Sequence, residues 1–158
     1  VHMQLTLRSY TEEVRAQMIA AIQRLAENLG RAAGLVEDKL PKVELKDEYT
    51  PVAYNDPSLT ARIKTVFESA LGKENVWEKN PVMGGEDFGR YGQVEPKIPS
   101  LIFWLGAVKR STYDASISQA STLPSLHSSK FAPDFVPTVV TGVEAMSSAT
   151  LELLGKTD

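Results

Sequence analysis

The chain has 158 residues, 42% hydrophobic and 23% charged, a composition that argues against a wholly disordered polypeptide and suffices for one core or two small ones. A formal net charge of -3, with Lys and Arg scattered along the chain, excludes the basic footprint of a nucleic-acid-binding protein. The longest apolar runs, such as residues 101–105, are too short to cross a bilayer, and the lack of cysteine excludes disulfides and thiolate metal sites.

No charged-then-apolar leader opens the chain, so a soluble protein is expected, in the cytoplasm or the periplasm. The opening Val1-His2-Met3 reads as a cloning remnant, which leaves His127 as the histidine of interest. Residues 3–10 alternate, with Met3, Leu5 and Leu7 on one side, and predict a half-buried strand. Thr11 then suits an N-cap, Glu12 and Glu13 a first turn, and Val14, Met18, Ile22, Leu25 and Leu29 recur at helical spacing until Gly30 and Gly34. Residues 42–49 alternate again, so the first fifty residues predict strand, helix, strand.

Pro51 closes that stretch, and a domain boundary is expected near residues 50–56. Asp56 as N-cap and Pro57 at the first helical position open a second amphipathic helix, through Leu59, Ile63, Val66, Phe67, Ala70 and Leu71 to Gly72. A short strand is expected around 75–77. The apolar run 100–107, "SLIFWLGA", predicts a strand covered on both faces. Residues 110–125 show no clean period and predict a loop, and Val136, Val139, Val140, Val143, Met146, Thr150 and Leu154 share one face of a closing helix. The fold class expected is α/β, a buried sheet with flanking helices.

Chemistry concentrates in two places. In "PVMGGEDFGRYG", residues 81–92, four glycines predict a shaped loop that turns through positive φ or approaches a partner closely. Glu86 and Asp87 behind them read as ligands, as an acid and base pair, or as caps of a short helix at Phe88. His127 ends a loop after an apolar strand, and reads either as a surface or hydrogen-bonded residue or as a metal ligand. Arg8 is either a solvated side chain or a bidentate grip for a substrate carboxylate. A catalytic zinc needs three protein ligands and an open position, more than one histidine and a few carboxylates provide. No Gly-x-Ser-x-Gly elbow is present. By its own residues the chain looks like part of a site.

Taken in order and spacing, "LTLRSY" before a long amphipathic helix, "TPVAYND", "PVMGGEDFGRYG", "FWLGA", "LHSSKF" and "TGVEAMSSATLELL" resemble the C-terminal portion of the dinuclear metal-dependent amidohydrolases, which include hippurate hydrolases, N-acyl-amino-acid amidohydrolases and related carboxypeptidases. The resemblance implies that residues 1–53 are the second half of a small α+β lid or dimerisation domain. It implies that residues 54–158 are the C-terminal part of a mixed-sheet catalytic domain flanked by helices. His127 matches the last metal ligand of a centre holding two divalent ions, of zinc, manganese, cobalt or nickel. Gly84, Gly85 and Glu86 match a loop lining the substrate cleft, and Arg8 matches a lid arginine on the substrate's carboxylate side.

The family's early histidine block and its adjacent glutamates have no counterpart, so no catalytic residue is assigned in this chain and it is expected to be inactive alone. The partners implied are an N-acyl amino acid or peptide substrate, the missing N-terminal half of the enzyme and a second copy joined through the lid, with no nucleic acid and no membrane. The rival reading is a non-catalytic dimerisation or scaffold module derived from that family. A third, an α/β domain whose "GGEDF" loop holds an anion, is weakened by the repulsion of its two carboxylates.

Overall fold

Thr11 opens the first helix of the computed structural model, which describes residues 1–155. Its hydroxyl accepts a hydrogen bond from the Val14 N–H at 3.2 Å, and Glu12 and Glu13 place negative charge where the helix presents unpaired N–H groups. Helix α1 (Glu12–Ala32) ends where Gly34 turns at φ +80°, with Leu35 N–H donating to Gly30 O at 3.1 Å and Gly34 N–H to Arg31 O at 2.9 Å. That pair of bonds closes the last carbonyls of the helix and favours glycine at the turning position. Helix α2 (Pro57–Leu71) starts on Asp56, whose carboxylate accepts from the Leu59 N–H at 2.8 Å and the Ser58 hydroxyl at 2.6 Å, and it stops at Gly72, φ +89°. The Ser58 hydroxyl foremost, then the Leu59 N–H, holds the Asp56 carboxyl below its ordinary range.

Helix α3 (Arg110–Ser118) forms within the stretch expected to be a loop, with Arg110 and Asp114 paired one turn apart at 2.9 Å. Helix α4 (Phe135–Leu154) closes the described chain. Three short 3₁₀ turns, Glu37–Lys39, Lys73–Asn75 and Asp87–Gln93, complete the regular structure.

The chain divides into two compact units, each discontinuous in sequence. One comprises Val1–Asn55 with Asn80–Ser100, the other Asp56–Lys79 with the stretch from Leu101 onward. In the second, α2 packs on α4 around Ile63, Phe67 and Ala145, with Leu59, Leu71, Val76, Leu101, Phe103 and Ala149 about them. Phe67 and Phe103 meet edge to face, ring centres 4.9 Å apart. At the margin Arg62 grips Glu152 twice, through its carboxylate and its carbonyl, both at 2.7 Å.

The expected α/β class, with its mixed sheet and its strand-helix-strand half-domain, is not what forms. Half of the structure is helix, and no strand or sheet occurs among the described residues. Alternation identifies side chains that can share a face, but a strand exists only when a neighbour completes its backbone hydrogen bonds. Met3 and Leu5, expected to be half-buried, are 78% and 68% exposed. In the run 100–107, Leu101 and Phe103 lean on the core while Trp104 stays 62% exposed, so the run is covered on one side only. A helix closes its hydrogen bonds within its own segment and so forms without such a neighbour.

The apolar face read for α4 is the outward one. The helix packs through Ala145 and Ala149, and Leu105 stands at 3.0 Å from where a Cβ on Gly142 would lie, while Val136, Val140, Val143 and Leu154 are exposed. The accessible surface is 13072 Å². Two separate compact bodies, each of half this chain's mass, would together expose only about 9,400 Å².

Candidate functional site

The glycine-rich loop lies in the first unit and is gripped at both ends by residues flanking α1. At its entry Arg8 donates from Nη1 to the Met83 carbonyl at 2.8 Å, and the Tyr10 hydroxyl donates to the Pro81 carbonyl at 3.3 Å. At its exit Arg90 donates from Nη2 to the Tyr49 carbonyl at 3.0 Å, and the Thr50 hydroxyl reaches Asp87 Oδ1 at 3.4 Å. Tyr49 is tied back to α1, since its hydroxyl donates to Glu12 Oε2 at 3.3 Å and the Arg15 guanidinium lies 3.7 Å from its ring centre.

Among the described residues the positive-φ glycines are Gly34 and Gly72, so the loop glycines do not serve the turn expected of them. Close approach does apply, at Gly89. A Cβ there would stand 2.7 Å from the Val52 carbonyl oxygen and 2.9 Å from the Ala53 nitrogen, so Gly89 lets two stretches of backbone touch. Gly84 and Gly85 meet no such demand, their nearest neighbours being Val82 Cγ2 at 3.8 Å and Arg8 Nη1 at 3.9 Å.

Glu86 acts as the cap of the 3₁₀ turn Asp87–Gln93, its Oε1 accepting from the Phe88 N–H at 3.1 Å. Phe88 lies half-buried with its ring 5.2 Å from that of Tyr91. Arg8, Gly84, Gly85 and Glu86 are therefore gathered in one unit. His127 belongs to the other, exposed in a turn where Ser128 N–H donates to Ser125 O at 2.9 Å and Lys130 N–H to Ser128 Oγ at 3.1 Å.

A metal centre of several ligands does not fit the chain by itself. Among the described residues no three His, Cys, Asp or Glu side chains stand close enough together to hold an ion. His127 offers one imidazole at most.

The residues that sequence reasoning passed over are those that hold the loop: Tyr10, Tyr49, Thr50 and Arg90. Arg90 lies inside the quoted motif, and Tyr10 two positions beyond Arg8. An alignment showing them to vary together with the loop would be a signal, whereas a single sequence carries no mark of a partner 41 or 71 residues away.

Comparison with known proteins agrees with the motifs. A model of peptidase family M20/M25/M40 matches residues 6–127, an interval that includes Arg8 and the glycine-rich loop and ends on His127. The chain belongs to that family. It is 30% identical to thermostable carboxypeptidase 2 of Saccharolobus solfataricus over 104 residues, 66% of this chain and 24% of that protein. It is 33% identical to N-acetyldiaminopimelate deacetylase of Lactococcus lactis over 102 residues, 64% of this chain and 25% of that protein. An uncharacterized hydrolase of Sinorhizobium fredii is 28% identical over 107 residues, 68% of this chain and 25% of its own length. The matched part thus spans about a quarter of these curated relatives. No solved structure matches the chain. Among the described residues no helix is long and apolar enough to cross a membrane.

Proposed function

We propose that these residues are part of a metal-dependent hydrolase that cleaves the amide bond of an N-acyl amino acid or a peptide. The observation that carries the reading is the family match over residues 6–127. Relatives named as a carboxypeptidase and as a deacetylase of an N-acetyl compound share one chemistry, addition of water across a C–N bond with release of an amine. Residues 1–53 serve in this reading as the second half of a lid or dimerisation domain, through which two copies associate, and residues 54–158 as the end of the catalytic domain.

His127 supplies one ligand to a centre of two divalent ions, of zinc, manganese, cobalt or nickel, whose other donors lie on a complementary N-terminal polypeptide. Neutral imidazole suits that task because it binds an ion without adding negative charge. In this reading Gly84, Gly85 and Glu86 line the substrate cleft, and Arg8 meets a substrate carboxylate through the N–H donors not used on Met83. The chain carries no assigned acid or base, and alone it is inactive.

The test is made on the assembled enzyme. His127→Ala lowers the metal content measured by mass spectrometry and the rate of release of glycine from N-benzoylglycine, and unchanged metal content refutes the ligand role. Absence of hydrolysis of any N-acyl amino acid or peptide by the assembled, metal-loaded protein refutes the enzymatic reading. The second reading, a non-catalytic dimerisation or scaffold module, draws on the open valine face of α4. Self-association of this chain without metal uptake favours it.

A further inference from the structure

Two arginines, one from each side, hold backbone carbonyls across the same junction. Arg8, before α1, takes the Met83 carbonyl of the loop, and Arg90, within the loop, takes the Tyr49 carbonyl beyond α1. Charge-assisted bonds of this kind are short and about twice as strong as neutral ones, and the 2.8 Å from Arg8 lies in their range. We infer that Arg8 is a positioning residue for the loop: acting through the Met83 carbonyl, it fixes the backbone that runs on through Gly84, Gly85 and Glu86.

The loop's own composition makes such a device necessary. Two adjacent glycines have the largest conformational freedom of any dipeptide, and Gly84 and Gly85 are exposed and unconstrained by packing. Downstream the chain is pinned by the Glu86 cap and by Gly89 against Val52. Upstream the pins are the Tyr10 and Arg8 hydrogen bonds, and Arg8 is the nearer to the glycines. A flexible dipeptide between two fixed points has few conformations left, and that is how a loop acquires one shape before any ligand arrives.

The guanidinium offers five N–H donors, so holding Met83 leaves others for a carboxylate, and the two tasks are compatible. The consequence for catalysis rests on the hydrolase reading, whereas the positioning itself does not.

Hydrogen exchange followed by mass spectrometry on the full chain, at millisecond to second labelling times, tests it for the peptide covering residues 81–93. Arg8→Ala should raise exchange there about tenfold, read at the Phe88 and Gly89 amides, whose bonds to Glu86 last only while the loop keeps its shape. Exchange in α1 and in the α2 and α4 core should stay as in the wild type. Arg8→Lys, whose ammonium can still donate to Met83, should restore part of the protection, and Tyr10→Phe should give a smaller rise. Equal exchange of 81–93 in the wild type and in Arg8→Ala overturns the inference. So does a rise spread through α1, which would mark a general role in stability, and so does a lysine variant no better than alanine. Because the readout needs no turnover, a protein that hydrolyses nothing yet shows this pattern loses the enzymatic reading and keeps the positioning one.

Discussion

Replacing Gly89 by alanine isolates the contact between the loop and the 52–53 backbone. A methyl group at this position would stand 2.7 Å from Val52 O, 2.8 Å from Val52 C and 2.9 Å from Ala53 N. All three are backbone atoms, so nothing at the end of a flexible side chain can swing away. Overpacking of this sort costs about 1–3 kcal/mol. Against it stands the reduced freedom of alanine in the unfolded chain, about 0.4–1 kcal/mol in the variant's favour. Gly89 is not a positive-φ glycine, so no backbone penalty is added. The net loss is about 1–2 kcal/mol, which at a urea slope of about 1–2 kcal/mol per M moves the midpoint down by about 1 M. Equilibrium urea unfolding read by circular dichroism measures it, with Gly92→Ala as control, because nothing lies within 4 Å of a Cβ there. The control should match the wild type or exceed it slightly. A Gly89→Ala midpoint equal to that of the control refutes the close approach.

Ile63 is 2% exposed at the centre of a small core, so Ile63→Ala should cost about 2–5 kcal/mol and abolish the cooperative thermal transition of the α2 and α4 pair. Asp56 has its folded pKa depressed, so its contribution to α2 is present above the unfolded value and lost as pH falls through the folded one. Asp56→Asn keeps an acceptor at the cap, and melts recorded from neutral pH into the acid range should therefore fall less for this variant than for the wild type. Val143 is 61% exposed, so Val143→Lys should leave stability within about 0.5 kcal/mol while lowering self-association in sedimentation experiments. A variant that unfolds instead would mean that this face of α4 is covered.

What the sequence made legible was whatever is decided within a few residues. Thr11 caps α1 three residues before the N–H it accepts from, Asp56 does the same for α2, and Gly34 and Gly72 stop both helices by a local backbone turn. The strands were misread because the alternation of 3–10 and 42–49 is local while the pairing that makes a strand is not. The same limit applies to the site. The capping action of Glu86 spans two residues and was among its readings, but the bond from Arg8 to Met83 spans 75. Motif resemblance supplied His127 and the loop, which spacing alone left open. The shared face of α4 was legible as a set, but that it points outward was not, because spacing marks a face without saying what covers it.

The interleaving of the two units has a consequence for the order of events during synthesis. Helix α2 is complete once residue 71 has left the ribosome, yet its principal packing partner, α4, starts at residue 135. At about 5–20 residues per second that leaves several seconds in which Ile63 and Phe67 have no cover. The first unit waits as well, because Gly89 and Arg90 must emerge before Tyr49 and Val52 have anything to hold. A stop or cut near residue 79 leaves neither unit whole, and the arginine pins between distant segments cannot both form until the chain has reached residue 90.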